Sequence, residues 1–211
     1  MKALVYDGPK TLAFRDVPDP DVKTAHALVR VESVGICGSD MHAYLGHDER
    51  RPAPLILGHE AAGVVVGGQL DGRRVTMNPL VTCGTCSACR EGRENLCPSR
   101  QIISMPPREG AFAQLVSVPE QNLVTVPDTV PLDKAALCEP LACSWHAVRL
   151  AQQALFGPIE QSKALVIGGG AIGFGAAFCL RAAGAHDIVL VEPNAIRRAY
   201  LARHCDFTIV A

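Results

Sequence analysis

Four of the nine cysteines fall between residues 83 and 97. Their spacing is C-x2-C-x2-C-x7-C: Cys83, Cys86, Cys89 and Cys97. Close thiols in one loop can converge on a tetrahedral Zn²⁺, and a shell filled by four thiolates has no position left for water or substrate. Such a site is structural. Disulfides are the competing reading, but an odd cysteine count with no sign of secretion favours metal chemistry. A thioredoxin-like redox pair is disfavoured because no helix-opening context follows "CGTC".

A second set of reactive side chains is dispersed. "VGICGSDMH" supplies Cys37, Ser39 and His42; "LGHEAAG" supplies His59 and Glu60; "LCEPLA" supplies Glu139. Taken singly, each has an ordinary explanation: a small core thiol, a hydrogen-bonded loop histidine, a solvated acid near a helix start. A third feature is "GGGAIG", Gly168 to Gly173, which fits G-x-G-x-x-G. It follows the apolar run "ALVI" and opens a helix, the context that a dinucleotide loop requires. Gly168 would allow the tight turn, Gly170 the approach of a pyrophosphate, and Gly173 close helix–strand packing. Ala171 and Ile172 begin the helix whose N–H groups would face the phosphates.

Glu192 lies about 20 residues beyond Gly173, where an acid should meet a ribose 2′-OH. Its carboxylate would repel a 2′-phosphate, which favours NAD over NADP. Arg197 and Arg198 follow and offer the opposite charge; as a solvated helix face, Arg197 would flank the adenosine.

The elements that must position these groups fall into two textures. Residues 1 to about 130 are β-rich: 2–6, 12–17, 26–35, 61–67, 73–77, 113–118 and 122–126 are short β-branched runs between turn residues. They suggest a barrel or sandwich. Asp71-Gly72 reads as a tight turn. A helix is predicted from about Leu132 to Leu155. Beyond Gly157-Pro158 the pattern is strand (164–167), helix (171–183), strand (188–192), helix (195–203), strand (207–210). That is one βαβαβ half of a dinucleotide-binding domain.

Composition limits the function. The 20 Lys and Arg balance 21 Asp and Glu, which argues against a nucleic-acid surface. The N-terminus does not read as a signal peptide, and no apolar run approaches a membrane span. A soluble cytoplasmic protein is expected.

In this order, "GICGSDMH", "GHEAAGVV", "NPLVTCGTCSACREGRENLC", "GAFAQLVSVPEQNLVTVPD", "CEPLA" and "VIGGGAIG" cover almost the whole chain. The chain resembles the zinc-dependent medium-chain dehydrogenases/reductases, in their polyol, threonine and butanediol dehydrogenase branch. The resemblance implies a mixed β and α/β fold. A GroES-like β-barrel catalytic domain would occupy 1–150, with a structural zinc lobe at about 78–98. The first half of a Rossmann domain would follow at 151–211. It implies a catalytic zinc on Cys37 and His59, with Glu60 as ligand or neighbouring partner. Glu139 would stand where classical alcohol dehydrogenases place a cysteine; Cys138 precedes it and offers a competing alignment.

The activity implied is hydride transfer from a secondary alcohol of a polyol or sugar acid to NAD, with two zinc ions per chain. Ser39 would accept the hydroxyl proton and His42 relay it. Family members run roughly a hundred or more residues longer, so this chain is expected to lack the nicotinamide half. A homo-oligomer, dimer or tetramer, is expected of the full-length form. The alternatives are a simple-alcohol or aldehyde substrate, or a non-catalytic zinc-binding module.

Overall fold

A computed structural model describes residues 1–211. The chain divides into two compact units, Met1–Glu139 and Pro140–Ala211.

The first unit is built on antiparallel sheets. Strands β1 (Lys2–Gly8), β2 (Thr11–Asp16) and β3 (His26–Gly35) come first, followed by a short helix α1 (Gly38–Tyr44). Then come β4 (Leu55–Ile56), β5 (Glu60–Val66), β6 (Arg74–Met77) and β7 (Leu80–Val81). The helix α2 (Ser87–Arg90), strands β8 (Gln101–Ile102), β9 (Leu115–Pro119) and β10 (Leu123–Thr125), and the helix α3 (Leu132–Ala135) complete it. One sheet has the order β2-β1-β4 and the larger one β10-β6-β5-β3-β9, a curled half-barrel. Alternation explains the core. Ala27 and Val29 of β3 point inward with Val65, Val75 and Val118, while Arg30 is exposed.

The β3–β5 pairing carries a bulge. Val31 faces Gly63, but Ser33 faces Ala62, so the register shifts by one residue. Beyond the bulge Gly35 stands opposite Glu60. A Cβ at Gly35 would fall 2.3 Å from Glu60 Oε2. The glycine therefore leaves the space that the glutamate side chain occupies.

The second unit starts within the first turn of α4 (Cys138–Ala154). The sequence expectation of one helix from 132 to 155 resolves into α3 and α4, separated at Ala136–Leu137. Pro140 is tolerated because first-turn N–H groups have no intrahelical acceptor. Strand β11 (Lys163–Ile167), helix α5 (Ala171–Ala182), β12 (Asp187–Val191), α6 (Ala195–His204) and β13 (Thr208–Val210) follow. The three strands are parallel in the order β11-β12-β13. Ile188, Leu190, Ala177 and Phe207 form the core beneath the helices. The expected boundary at residue 150 falls inside α4. The division comes earlier because α4 packs on α5: Ser144 Oγ donates to Ile172 O at 2.9 Å, and Gly175 lies against Ser144 and Leu141.

The segment between α1 and β4 has no regular structure, and Asp48 pins it. Its carboxylate accepts from Arg50 Nε at 2.8 Å and from Arg51 Nη1. Hydrogen bonds from Arg50 and Arg51 outweigh burial and hold the Asp48 carboxyl down at about 2. A carboxyl depressed below its unfolded value stabilises the fold above about pH 4, and that contribution disappears as pH falls toward 2. Asp48→Asn should therefore lower Tm at pH 7 by several degrees, because it leaves the buried Arg51 charge without its partner. Thermal melts from pH 7 to pH 2 should show the gap from wild type closing at the acid end.

Candidate metal centres and dinucleotide loop

The four clustered cysteines converge. Their sulfur atoms lie within 4.8 Å of one another. Cys86 to Cys89 is 3.4 Å, Cys83 to Cys97 is 3.6 Å and Cys83 to Cys89 is 4.0 Å. A bonded disulfide needs about 2.05 Å. Four sulfurs each about 2.3 Å from a tetrahedral zinc stand about 3.8 Å apart, so the set fits that ion. The Cys83 sulfur accepts from the backbone N–H groups of Thr85 and Cys86, which brings its thiol down to about 6. Burial and the Cys86 thiol push Cys89 up to about 11. The Cys83 thiolate is favoured and Cys89 resists ionising beside it; a central divalent cation removes that repulsion.

Cys37, His59 and Glu60 form a second group, also with ligand atoms within 4.8 Å of one another. Three local devices assemble it. Cys37 is the N-cap residue of α1, and its backbone N–H donates to Asp40 Oδ2 at 3.0 Å, the reciprocal half of a capping box. Gly58 turns the chain with φ +89°, a left-handed conformation that glycine adopts at little cost. A Cβ there would also lie 2.5 Å from the Phe112 ring. Gly35, opposite Glu60, supplies the third.

The outer contacts orient His59. Its Nδ1 lies 3.2 Å from Ser104 Oγ and 3.7 Å from Asp40 Oδ1. With Nδ1 facing these oxygens, Nε2 is the ring atom open to a metal. Asp40 is buried and also accepts the Gly58 N–H at 3.1 Å. Burial opposes its charge, but His59, Cys37 and Gly58 more than offset it and lower its carboxyl. His59 itself is raised to about 10: burial works against the imidazolium, and Asp40 and Cys37 outweigh it. The Cys37 thiol is lowered, first by His59 and then by Ser39 against burial. This donor set of thiolate, imidazole and carboxylate suits zinc, whose binding requires the imidazole to be neutral and the thiol ionised.

The remaining expected residues are placed as follows. Ser39 sits in the first turn of α1, two residues after Cys37, with its Oγ 3.5 Å from Arg51 Nη2. His42 is exposed near the end of α1, its ring 6.3 Å from that of His47. Glu139 is half-buried in the first turn of α4 and is not a member of the three-residue group. Sequence reasoning missed Asp40, Ser104 and Arg51. Asp40 had a readable signal, its position three residues after a helix-capping Cys37. The other two had none, because they reach the group through loops.

In the second unit the glycine loop joins β11 to α5. Gly168 has φ +100°, and its N–H donates to Val191 O at 2.8 Å. A Cβ at Gly173 would lie 1.9 Å from Gly168 O, so only glycine lets the helix sit this close. Gly170 is the N-cap of α5 and has open space where its Cβ would be. Ala171 and Ile172 begin the helix. Glu192 is buried beneath the loop. Its Oε1 accepts from Asn194 N at 2.8 Å; its Oε2 accepts from Gly169 N at 2.9 Å and Arg197 Nη1 at 3.0 Å. These contacts, the Asn194 N–H first, lower its carboxyl. Arg198 is committed to the carbonyls of Glu192 and Pro193.

The alcohol dehydrogenase GroES-like domain family matches residues 23–128. Sorbitol dehydrogenase of Bacillus subtilis is 36% identical over 206 residues, covering 93% of this chain and 57% of that protein. L-Galactonate-5-dehydrogenase of Escherichia coli is 36% identical over 216 residues, covering 100% and 61%. A structure from Sinorhizobium meliloti, assigned as a zinc-binding dehydrogenase and bound to NADP, superposes with a TM-score of 0.87 at 34% identity. It covers 100% of this chain and 61% of that one. The chain thus spans about three-fifths of the length of these relatives. It belongs to the alcohol dehydrogenase family defined by the GroES-like domain, in the zinc-dependent, polyol dehydrogenase-like branch of the medium-chain dehydrogenases.

Proposed function

We propose that this chain carries the metal centres and the adenosine-binding half of an enzyme that oxidises a secondary alcohol of a polyol or sugar acid with NAD. The observation that carries the reading is the Cys37–His59–Glu60 group, with His59 Nδ1 held from behind by Ser104 and Asp40. The names of the relatives, sorbitol and L-galactonate dehydrogenases, supply the substrate class. A metal bound here supplies Lewis acidity toward a substrate hydroxyl, and NAD supplies the hydride acceptor.

The chain's own residues then do the rest. Cys37 and His59 hold the metal, with Glu60 beside them. Glu139 is the fourth protein donor in this reading. Ser39, two residues after Cys37, accepts the proton of the hydroxyl. His42, on the exposed end of α1, passes it to solvent. Cys83, Cys86, Cys89 and Cys97 hold a second, closed zinc that stabilises residues 78–98. In this reading Met1–Glu139 is the catalytic domain and Pro140–Ala211 the start of the dinucleotide-binding domain. Nine cysteines with no disulfide among them suit a reducing, cytoplasmic setting. The assembly is a homo-oligomer, as membership of the polyol dehydrogenase-like branch suggests.

For the cofactor, the Gly168–Gly173 loop and the α5 N-terminus take the pyrophosphate. Three N–H donors already engage Glu192, which leaves roughly one carboxylate lone pair for a ribose hydroxyl. That favours NAD. The second reading is NADP, supported by the NADP-bound relative and by Arg197, half-exposed beside Glu192.

Metal analysis should find two zinc ions per chain; one or none counts against the reading. Cys86→Ser should lower the melting temperature more than turnover per folded molecule. Cys37→Ser should abolish turnover in a protein that still folds. NADH formation with sorbitol, L-galactonate or butanediol tests the substrate class, and its absence with all of them in zinc-loaded enzyme would refute it. Calorimetric titration should show NAD binding at least about tenfold tighter than NADP, a difference near 1.4 kcal/mol. Arg197→Ala should weaken NADP more than NAD. Tighter binding of NADP would reverse the cofactor assignment.

A further inference from the structure

Arg51 is not one of the proposed metal donors, yet it is buried. Its side chain is 4% exposed and that of its ion-pair partner Asp48 is 7% exposed. A buried ion pair is rarely a net source of stability, so its contacts need another reason. Each guanidinium nitrogen has its own acceptor. Nη1 donates to Asp48 Oδ2, Nε donates to the Ser104 carbonyl at 3.0 Å, and Nη2 reaches Ser39 Oγ at 3.5 Å.

Both far ends of this contact set lead to the metal group. Ser104 is fully buried and has φ +72°, an uncommon conformation for a residue with a side chain. The Arg51 bond anchors its carbonyl, and the same residue presents Oγ to His59 Nδ1 at 3.2 Å. On the other side, arginine is a donor only, so Ser39 Oγ accepts from it and directs its own proton elsewhere. Ser39 stands in the first turn of α1, the helix that Cys37 caps. One planar cation thus bonds both the residue that backs His59 and the first turn of the helix that Cys37 caps.

We propose that Arg51, locked by Asp48, is a positioning residue for the Cys37–His59 metal group: it fixes the Ser104 hydroxyl against His59 Nδ1 and holds Ser39 in the first turn of the helix that Cys37 caps. The inference rests on the metal reading of that group. A lysine cannot substitute, because its single nitrogen cannot serve three acceptors arranged around a plane.

The test is chelator competition on the purified metal-loaded protein, with the Co²⁺ absorption spectrum and a thermal melt recorded on the same samples. Arg51→Lys keeps the charge beside Asp48. It should melt within a few degrees of wild type and bind the more weakly held metal about ten- to a hundredfold less tightly. It should also alter the Co²⁺ band of the Cys–His group. Ser104→Ala should change the same band, and the double variant should lose less than the sum of the two single losses. Wild-type affinity and spectrum in Arg51→Lys, or strictly additive losses, would overturn the positioning role. If Arg51→Lys fails to fold, Ser104→Ala decides alone: unchanged metal binding overturns the proposal, and weakened binding with an altered band upholds it. Uptake of a single metal by the wild-type chain is a separate failure, because it removes the metal reading and this inference with it.

Discussion

The Asp40 carboxylate is the tie on which the first unit's site depends. A buried charge is costly unless hydrogen bonds replace its water. Asp40 receives the N–H of Cys37, the N–H of Gly58 and a contact with His59. Those three groups lie on the start of α1 and on the turn into β5. One side chain therefore sets the distance between two segments that are separate in sequence. Cys37 and His59 converge because the Cys37 N–H, the Gly58 N–H and the His59 ring all meet the two oxygens of one carboxylate.

The two thiol-bearing groups show different ways of building a donor set. The 83–97 loop needs only its own turns: the Cys86 N–H and the Thr85 hydroxyl already point at the Cys83 sulfur. The Cys37 group needs a capped helix, a left-handed glycine turn, a sheet register and a loop that brings in Ser104. Its geometry is therefore adjustable from outside, through side chains that never touch a metal. The dinucleotide loop of the second unit combines both styles. Its glycines act locally, while Glu192 reaches under it from the end of β12 and bonds Gly169.

The strands, the parallel unit and the cysteine loop were legible because each leaves a local pattern: alternation, G-x-G-x-x-G, close cysteine spacing. Helix α1 was not, because a cysteine is an uncommon cap and the helix is short. The run predicted as one helix from 132 to 155 breaks at Ala136–Leu137, since Ala135 and Ala136 pack with Ala62 while the following helix packs on α5. Gly35 read as the end of a strand; only the bulge at Val31–Ser33 reveals that it faces Glu60. Arg51 carries no signal in the sequence. Its burial follows from the approach of Ser104, a contact between residues 53 apart in the chain. Patterns with a local period could be read, and partnerships set by tertiary closure could not.

The bulge has a consequence for the order of assembly. Closing the Cys83–Cys97 contact joins residues 14 apart, and closing His59–Ser104 joins residues 45 apart. The difference in loop entropy is only about 1 kcal/mol, too little to separate two events in time. Register separates them. The cysteine loop is complete once its own turns have formed. The other group exists only after β3 and β5 have paired and the bulge has taken up its extra residue, because a one-residue slip would turn Gly35 away from Glu60. A folding chain is thus able to close its peripheral cysteine loop while the barrel is still unregistered, and the Cys37–His59–Glu60 group is withheld until the sheet has proofread itself.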